Sequence, residues 1–150
     1  MGVLTFREAI EIAAPQDAVW SVLADVHAWP AWNPFVGGFN GELREGARVK
    51  VLILPWSAEG TWLGARVARF RPPEALAWRG GVAGLFTGEH GFRVEATGEG
   101  SCRVVHEEVF SGILTPLFRG RIRSLEPMYE RFNEALKARV ELPAPAAGPR

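Results

Sequence analysis

Gly88-Glu89-His90-Gly91-Phe92-Arg93-Val94 and Arg103-Val104-Val105-His106-Glu107-Glu108-Val109-Phe110-Ser111-Gly112 are the two stretches whose reading decides the fold. In an extended chain successive side chains point to opposite faces. His90, Phe92 and Val94 therefore share one side of the first stretch, against Glu89, Arg93 and Glu95. In the second, Val104, His106, Glu108 and Phe110 oppose Arg103, Val105, Glu107 and Val109. Gly98-Glu99-Gly100 between them has the length of a hairpin turn, so the strands are expected to pair antiparallel. Two imidazoles and a carboxyl would then meet on the inner face. Burying such groups costs several kcal/mol unless they are paired or wetted, so the pattern implies either a hydrogen-bonded network or a cavity open to a ligand.

The same alternation extends outward along the chain. Phe6 to Ile12 reads as an opening strand, broken by Ala13-Ala14-Pro15, with Pro15 suited to the first turn of a helix. Val19, Trp20, Val22, Leu23 and Val26 follow at helical spacing. His27 to Pro34 holds two prolines and two tryptophans and allows only a brief second helical turn. Strands are then expected at Phe35–Phe39, around Val49, Val51 and Ile53, at Thr61–Phe70, around Leu76 and Trp78, at Phe86–Ala96 and at Cys102–Phe110. Six or seven strands joined by turns of hairpin size call for an antiparallel meander rather than βαβ units. Gly37, Gly38, Gly64 and Gly91 inside strands are expected at bends and bulges of a strongly curved sheet.

Phe118, Ile122, Leu125, Tyr129, Phe132, Leu136 and Val140 form one continuous helical stripe that closes the chain. Pro127 interrupts it, which predicts either a kink or a helix start with Ser124 as N-cap. The expected architecture is α+β: a curved antiparallel sheet of six to seven strands wrapped around a long C-terminal helix, with two short helices after the first strand. Residues 1–141 are expected to form a single domain, and 142–150, rich in Pro and Ala, a flexible tail.

Local patterns along the chain resemble the SRPBCC superfamily (START and Bet v 1-like proteins), in particular its polyketide-cyclase-like bacterial members. They are Trp32-Asn33-Pro34, Pro73-Glu74-Ala75-Leu76-Ala77-Trp78-Arg79-Gly80, His90-Gly91-Phe92, the run from His106 to Gly112, and Asn133-Glu134-Ala135-Leu136-Lys137. The likeness runs from about residue 4 to 141 and implies the helix-grip fold. It also implies one of several roles, since the superfamily includes lipid carriers, hormone receptors, aromatase/cyclases and chaperone activators.

Composition narrows the partners. Seventeen basic and seventeen acidic residues cancel, so no overall positive field attracts nucleic acid, and no apolar run approaches the ~20 residues that span a bilayer. Neither nucleic acid nor stable membrane insertion is expected. The opening residues, Met1 to Glu8, lack a secretion signal's charged start and apolar run. Cys102, the single cysteine, permits no intrachain disulfide, and the expected compartment is the cytoplasm. The expected partner is a small apolar molecule, with the protein itself a monomer or homodimer. Neither a cofactor nor a metal is expected, although two His and one Glu match a facial-triad ligand set.

Six Trp and nine Phe against one Tyr suit a cavity too wide for aliphatic side chains to close. The candidate ligand-binding residues are Trp32, Phe35, Trp62, Trp78, Phe86, His90, Phe92, His106, Glu108, Phe110, Phe118, Ile122, Leu125 and Tyr129, with Trp56 a further aromatic candidate. His90, His106 and Glu108 would hold the ligand's polar end. His106 and Glu108 are also the candidate catalytic pair, able to move a proton at an enol or carbonyl as aromatase/cyclase chemistry requires. No nucleophile elbow and no glycine-rich phosphate loop accompany them. Three function classes follow: binding of a lipid- or polyketide-like ligand, a cyclase-like enzyme, and a chaperone-activator-like interaction module.

Overall fold

The computed structural model describes residues 2–55 and 57–142; Trp56 and the expected tail beyond Leu142 lie outside the described residues. Strand β1 (Gly2–Ile12) leads through Pro15 into helix α1 (Gln16–Ala24) and a 3-10 turn (Val26–Ala31). Pro15 is the N-cap of α1 rather than its first-turn residue. Six strands follow: β2 (Val36–Asn40), β3 (Arg48–Ile53), β4 (Thr61–Arg71), β5 (Ala75–Val82), β6 (Phe86–Gly98) and β7 (Ser101–Gly112). Helices α2 (Thr115–Arg123) and α3 (Glu126–Glu141) close the described chain.

All seven strands form one antiparallel sheet in the order β1-β7-β6-β5-β4-β3-β2, the meander and helix-grip α+β fold expected from the sequence. The sheet bends at three irregularities, between Val36 and Gly38, between Val67 and Arg69, and between Ala96 and Gly98. Gly37 sits in the first. Gly64 and Gly91 were expected at bends too, yet both stand in regular register, opposite Lys50 and Ala77. Gly91 serves close packing instead, since a Cβ there would come within 3.3 Å of the Ala77 methyl.

The helical stripe is present but its backbone is broken. Pro127 falls in the first turn of α3, where its missing N–H leaves no bond unmade. Ser124 does not cap that helix. It ends α2, its hydroxyl donating to the Arg121 carbonyl at 2.6 Å, and Leu125 occupies the N-cap of α3. What lies against the sheet is therefore two consecutive helices rather than one long one. Ile122, Leu125, Tyr129, Phe132 and Leu136 still form a continuous buried row across the junction.

The core is aromatic. Trp29 is fully buried, meets Trp32, Phe92 and Phe132 edge to face, and donates its indole N–H to the Leu23 carbonyl at 3.1 Å. Asn33 fixes the chain after this anchor: its Oδ1 accepts from the backbone N–H of Phe35 at 2.8 Å and of Val36 at 3.0 Å. The prolines of Trp29-Pro30-Ala31-Trp32-Asn33-Pro34 keep the segment from extending as helix, and Asn33 turns it into β2. This packing fills one end of the space between sheet and α3.

Candidate functional site

At the other end that space stays open. A cavity of about 390 Å³ is bounded by β3 (Val51, Ile53), β4 (Leu63, Gly64, Ala65), β5 (Trp78, Gly80, Gly81), β6 (Phe86, Gly88, His90) and β7 (Glu108, Phe110), and closed by Phe35 and Leu125. Its wall is mostly apolar. Alternation along the strands puts these residues inside: His90 stands opposite Glu108 and Phe92 opposite His106, so the four side chains share the concave face. Gly88, opposite Phe110, leaves room beside them; a Cβ there would come within 3.2 Å of the Phe110 ring.

The polar groups form one chain. His106 turns Nδ1 to Asn133 Oδ1 at 3.1 Å, an amide oxygen that can only accept. Nδ1 therefore carries the proton, and Nε2 is left as an acceptor. His90 Nε2 lies 2.5 Å away and must be the donor, which leaves His90 Nδ1 bare. That atom faces Glu108 Oε2 at 3.6 Å, too far for a hydrogen bond. The Tyr129 hydroxyl donates to the same Oε2.

Burial sets the charges. It holds His90 down at about 3, and pushes His106 well below its ordinary value, with His90 adding to that and the Asn133 and Tyr129 bonds opposing it. Both imidazoles are neutral at pH 7. Burial lifts the Glu108 carboxyl to about 7 against the hydrogen bond from Tyr129, whose phenol is itself pushed up by burial and by the carboxyl. Near neutrality Glu108 is the one member of the chain that changes charge.

Of the residues singled out in the sequence, Phe35, Trp78, Phe86, His90, Glu108, Phe110 and Leu125 line the cavity. The others stand elsewhere. Trp32 packs on Trp29 and Phe132. Phe92 is stacked on His106 with centroids 4.4 Å apart, behind His90. His106 and Tyr129 are almost wholly buried and reach the cavity only through His90 and Glu108. Ile122 is core, and Phe118, a third exposed, packs edge to face on Phe86. Trp62 is contradicted outright as a wall residue: it pairs with Leu52 on the convex face, more than half exposed, while its neighbour Leu63 faces in.

Asn133, Gly88, Val51 and Ile53 are part of the site without having been assigned to it. A signal for Asn133 existed, since it lies four residues from Tyr129 beside the apolar stripe, where a polar side chain calls for a buried partner. As to metal, the two Nε2 atoms are spent on each other, and among the described residues no three His, Cys, Asp or Glu side chains gather as a ligand set. No helix among the described residues is long and apolar enough to cross a membrane.

Residues 3–141 match the sequence family described as polyketide cyclase / dehydrase and lipid transport. No curated protein matches the chain. Among solved structures it is similar to the Zhui aromatase/cyclase from Streptomyces sp. R1128, at 19% identity over 98% of this chain and 99% of that one, with a TM-score of 0.78. It is also similar to a START superfamily protein from Mycobacterium smegmatis, at 18% identity, 93% and 98% coverage and a TM-score of 0.68. Truncated norcoclaurine synthase from Thalictrum flavum follows at 14% identity, 95% and 96% coverage and the same TM-score, 0.68. At these identities the likeness is one of fold.

Proposed function

From the premise that this chain belongs to the polyketide cyclase / dehydrase and lipid transport family, we propose that it binds a small apolar, chiefly aromatic molecule reversibly between sheet and helix. One observation carries the reading: an apolar cavity of about 390 Å³ with the Glu108 carboxyl on its wall. Phe35, Trp78, Phe86 and Phe110 supply flat surface for rings, and burial of ligand area at about 25 cal/mol per Å² supplies the affinity before ordering costs. Titration of the purified protein with N-phenyl-1-naphthylamine tests it. Saturable one-site fluorescence enhancement, weakened by Leu125→Ala without loss of the fold, is the expected result. Absence of saturable binding refutes it.

A second reading, proton transfer at an enol or carbonyl of the bound molecule, is favoured by Glu108, which accepts from Tyr129 on the cavity wall and holds its proton to about 7. The transferring group is then Glu108, with His90 beside it and His106 acting only through His90. In that case Glu108→Gln abolishes turnover of an enolisable polyketide-like substrate while probe binding persists. Turnover that survives the substitution rules the reading out.

A further inference from the structure

Among the described residues no lysine or arginine lines the cavity, and the wall side chains with polar atoms are Trp78, His90 and Glu108. His90 spends Nε2 on His106 and turns its bare Nδ1 towards Glu108. Glu108 Oε2 is taken by Tyr129. Oε1 is different. It stands over Gly88, 3.5 Å from where a Cβ on that residue would be, and has no hydrogen-bond partner among the described residues.

The charge of the carboxyl decides what Oε1 can do. Oε2 accepts from Tyr129 and lies 3.6 Å from His90 Nδ1, beyond a hydrogen bond, so a carboxyl proton is free to sit on Oε1, which then donates. When the carboxyl is ionised, Oε1 accepts. A hydroxyl, which both donates and accepts, meets Oε1 in either state. A ketone or ether only accepts, and sets acceptor against acceptor once the carboxyl is ionised. A carboxylate or phosphate would be buried without a cation, at a cost of several kcal/mol, next to a carboxyl that itself becomes negative. A primary ammonium would bring three N–H groups to one free acceptor.

We infer that the cavity selects neutral aromatic molecules bearing a phenolic or enolic hydroxyl, which hydrogen-bonds with Glu108 Oε1, and that it refuses carboxylates and phosphates. This inference rests on the cavity being a ligand site, as proposed above. Fatty acids and other anionic amphiphiles are thereby excluded, although the apolar wall alone would admit them.

Four matched probes, 2-naphthol, 2-methoxynaphthalene, naphthalene and 2-naphthoate, separate the two claims by calorimetric titration at pH 7. The expected order places 2-naphthol about tenfold tighter than naphthalene or the ether, the size of one well-made hydrogen bond, with no binding of 2-naphthoate. Glu108→Ala should bring naphthol and naphthalene to equal affinity. If that variant fails to fold, a red shift of the naphthol absorption band on binding wild type reports the donated hydroxyl instead. Equal binding of all four probes, or preference for the carboxylate, overturns the inference and leaves the cavity reading intact. No binding by any of them overturns both.

Discussion

Replacing Glu108 by Gln removes one ionisable group with little change of volume, and its effect on stability has a direction fixed by the structure. Burial raises the carboxyl from 4.5 to about 7. Between those values the folded protein holds the proton more tightly than the unfolded chain does. The contribution to stability is therefore whole below about 4.5, falls as pH rises, and is lost above about 7. At about 1.4 kcal/mol per pH unit, the interval is worth about 3 kcal/mol. His90 works in the opposite sense, since burial lowers it from 6.5 to about 3 and the unfolded chain gains the proton first on acidification. His106, lowered too, behaves likewise, while Tyr129 stays neutral throughout. These terms are common to both proteins and cancel in the difference. Urea unfolding followed by tryptophan fluorescence from pH 4 to 8 should show Glu108→Gln gaining about 3 kcal/mol on wild type across the range. Parallel curves, or a gain that grows towards acid, would refute the argument.

Other expectations rest on single contacts. Asn33→Ala forfeits the acceptor for two buried backbone N–H groups and should cost about 2 kcal/mol, read as a lower urea midpoint at unchanged slope. Phe132→Ala opens the core beneath Trp29, Phe92 and His106, and a loss of about 3–5 kcal/mol is expected in the same assay. Trp62→Ala, on the convex face, should leave naphthylamine affinity within about twofold of wild type, whereas Leu63→Ala, on the wall, should weaken it.

Strand alternation made the site's facing legible because β6 and β7 carry charges on one side throughout: Glu89, Arg93 and Glu95, then Arg103 and Glu107. β4 lacks such a marker near its start, where Trp62 and Leu63 are both apolar. Counting back by twos from Arg69 puts Trp62 inside, and counting back from Arg66 puts it outside. The irregularity between Val67 and Arg69 makes the first count wrong, and a bulge without a glycine leaves no trace in the sequence. Depth along the strands was equally hidden. His106 and Glu108 share a face, yet only Glu108 lines the cavity. The difference is made by Trp29 and Phe132, which reach that end of the sheet from the segment after α1 and from α3. The break at Pro127 was legible because proline has one tolerated place in a helix. The cap was not, because Ser124 found a carbonyl in the preceding turn.

The same carboxyl joins stability to recognition. A glutamine at position 108 would still offer an oxygen to Tyr129 and would avoid the charge that burial penalises. If the polar chain served only to hold β6, β7 and α3 together, Glu108 would be its weakest choice, since ionisation sets a carboxylate against the bare Nδ1 of His90. Its neighbours fit that view: His90, His106, Tyr129 and Asn133 are each committed to a partner inside the protein, and Glu108 keeps an oxygen without a partner among the described residues. A ligand hydroxyl on Oε1 would stabilise the ionised form and lower the carboxyl's pKa, so binding of 2-naphthol should release protons near pH 7. Calorimetry in buffers of different ionisation enthalpy measures that release. Zero proton exchange with tight naphthol binding would show that the hydroxyl does not meet the carboxyl.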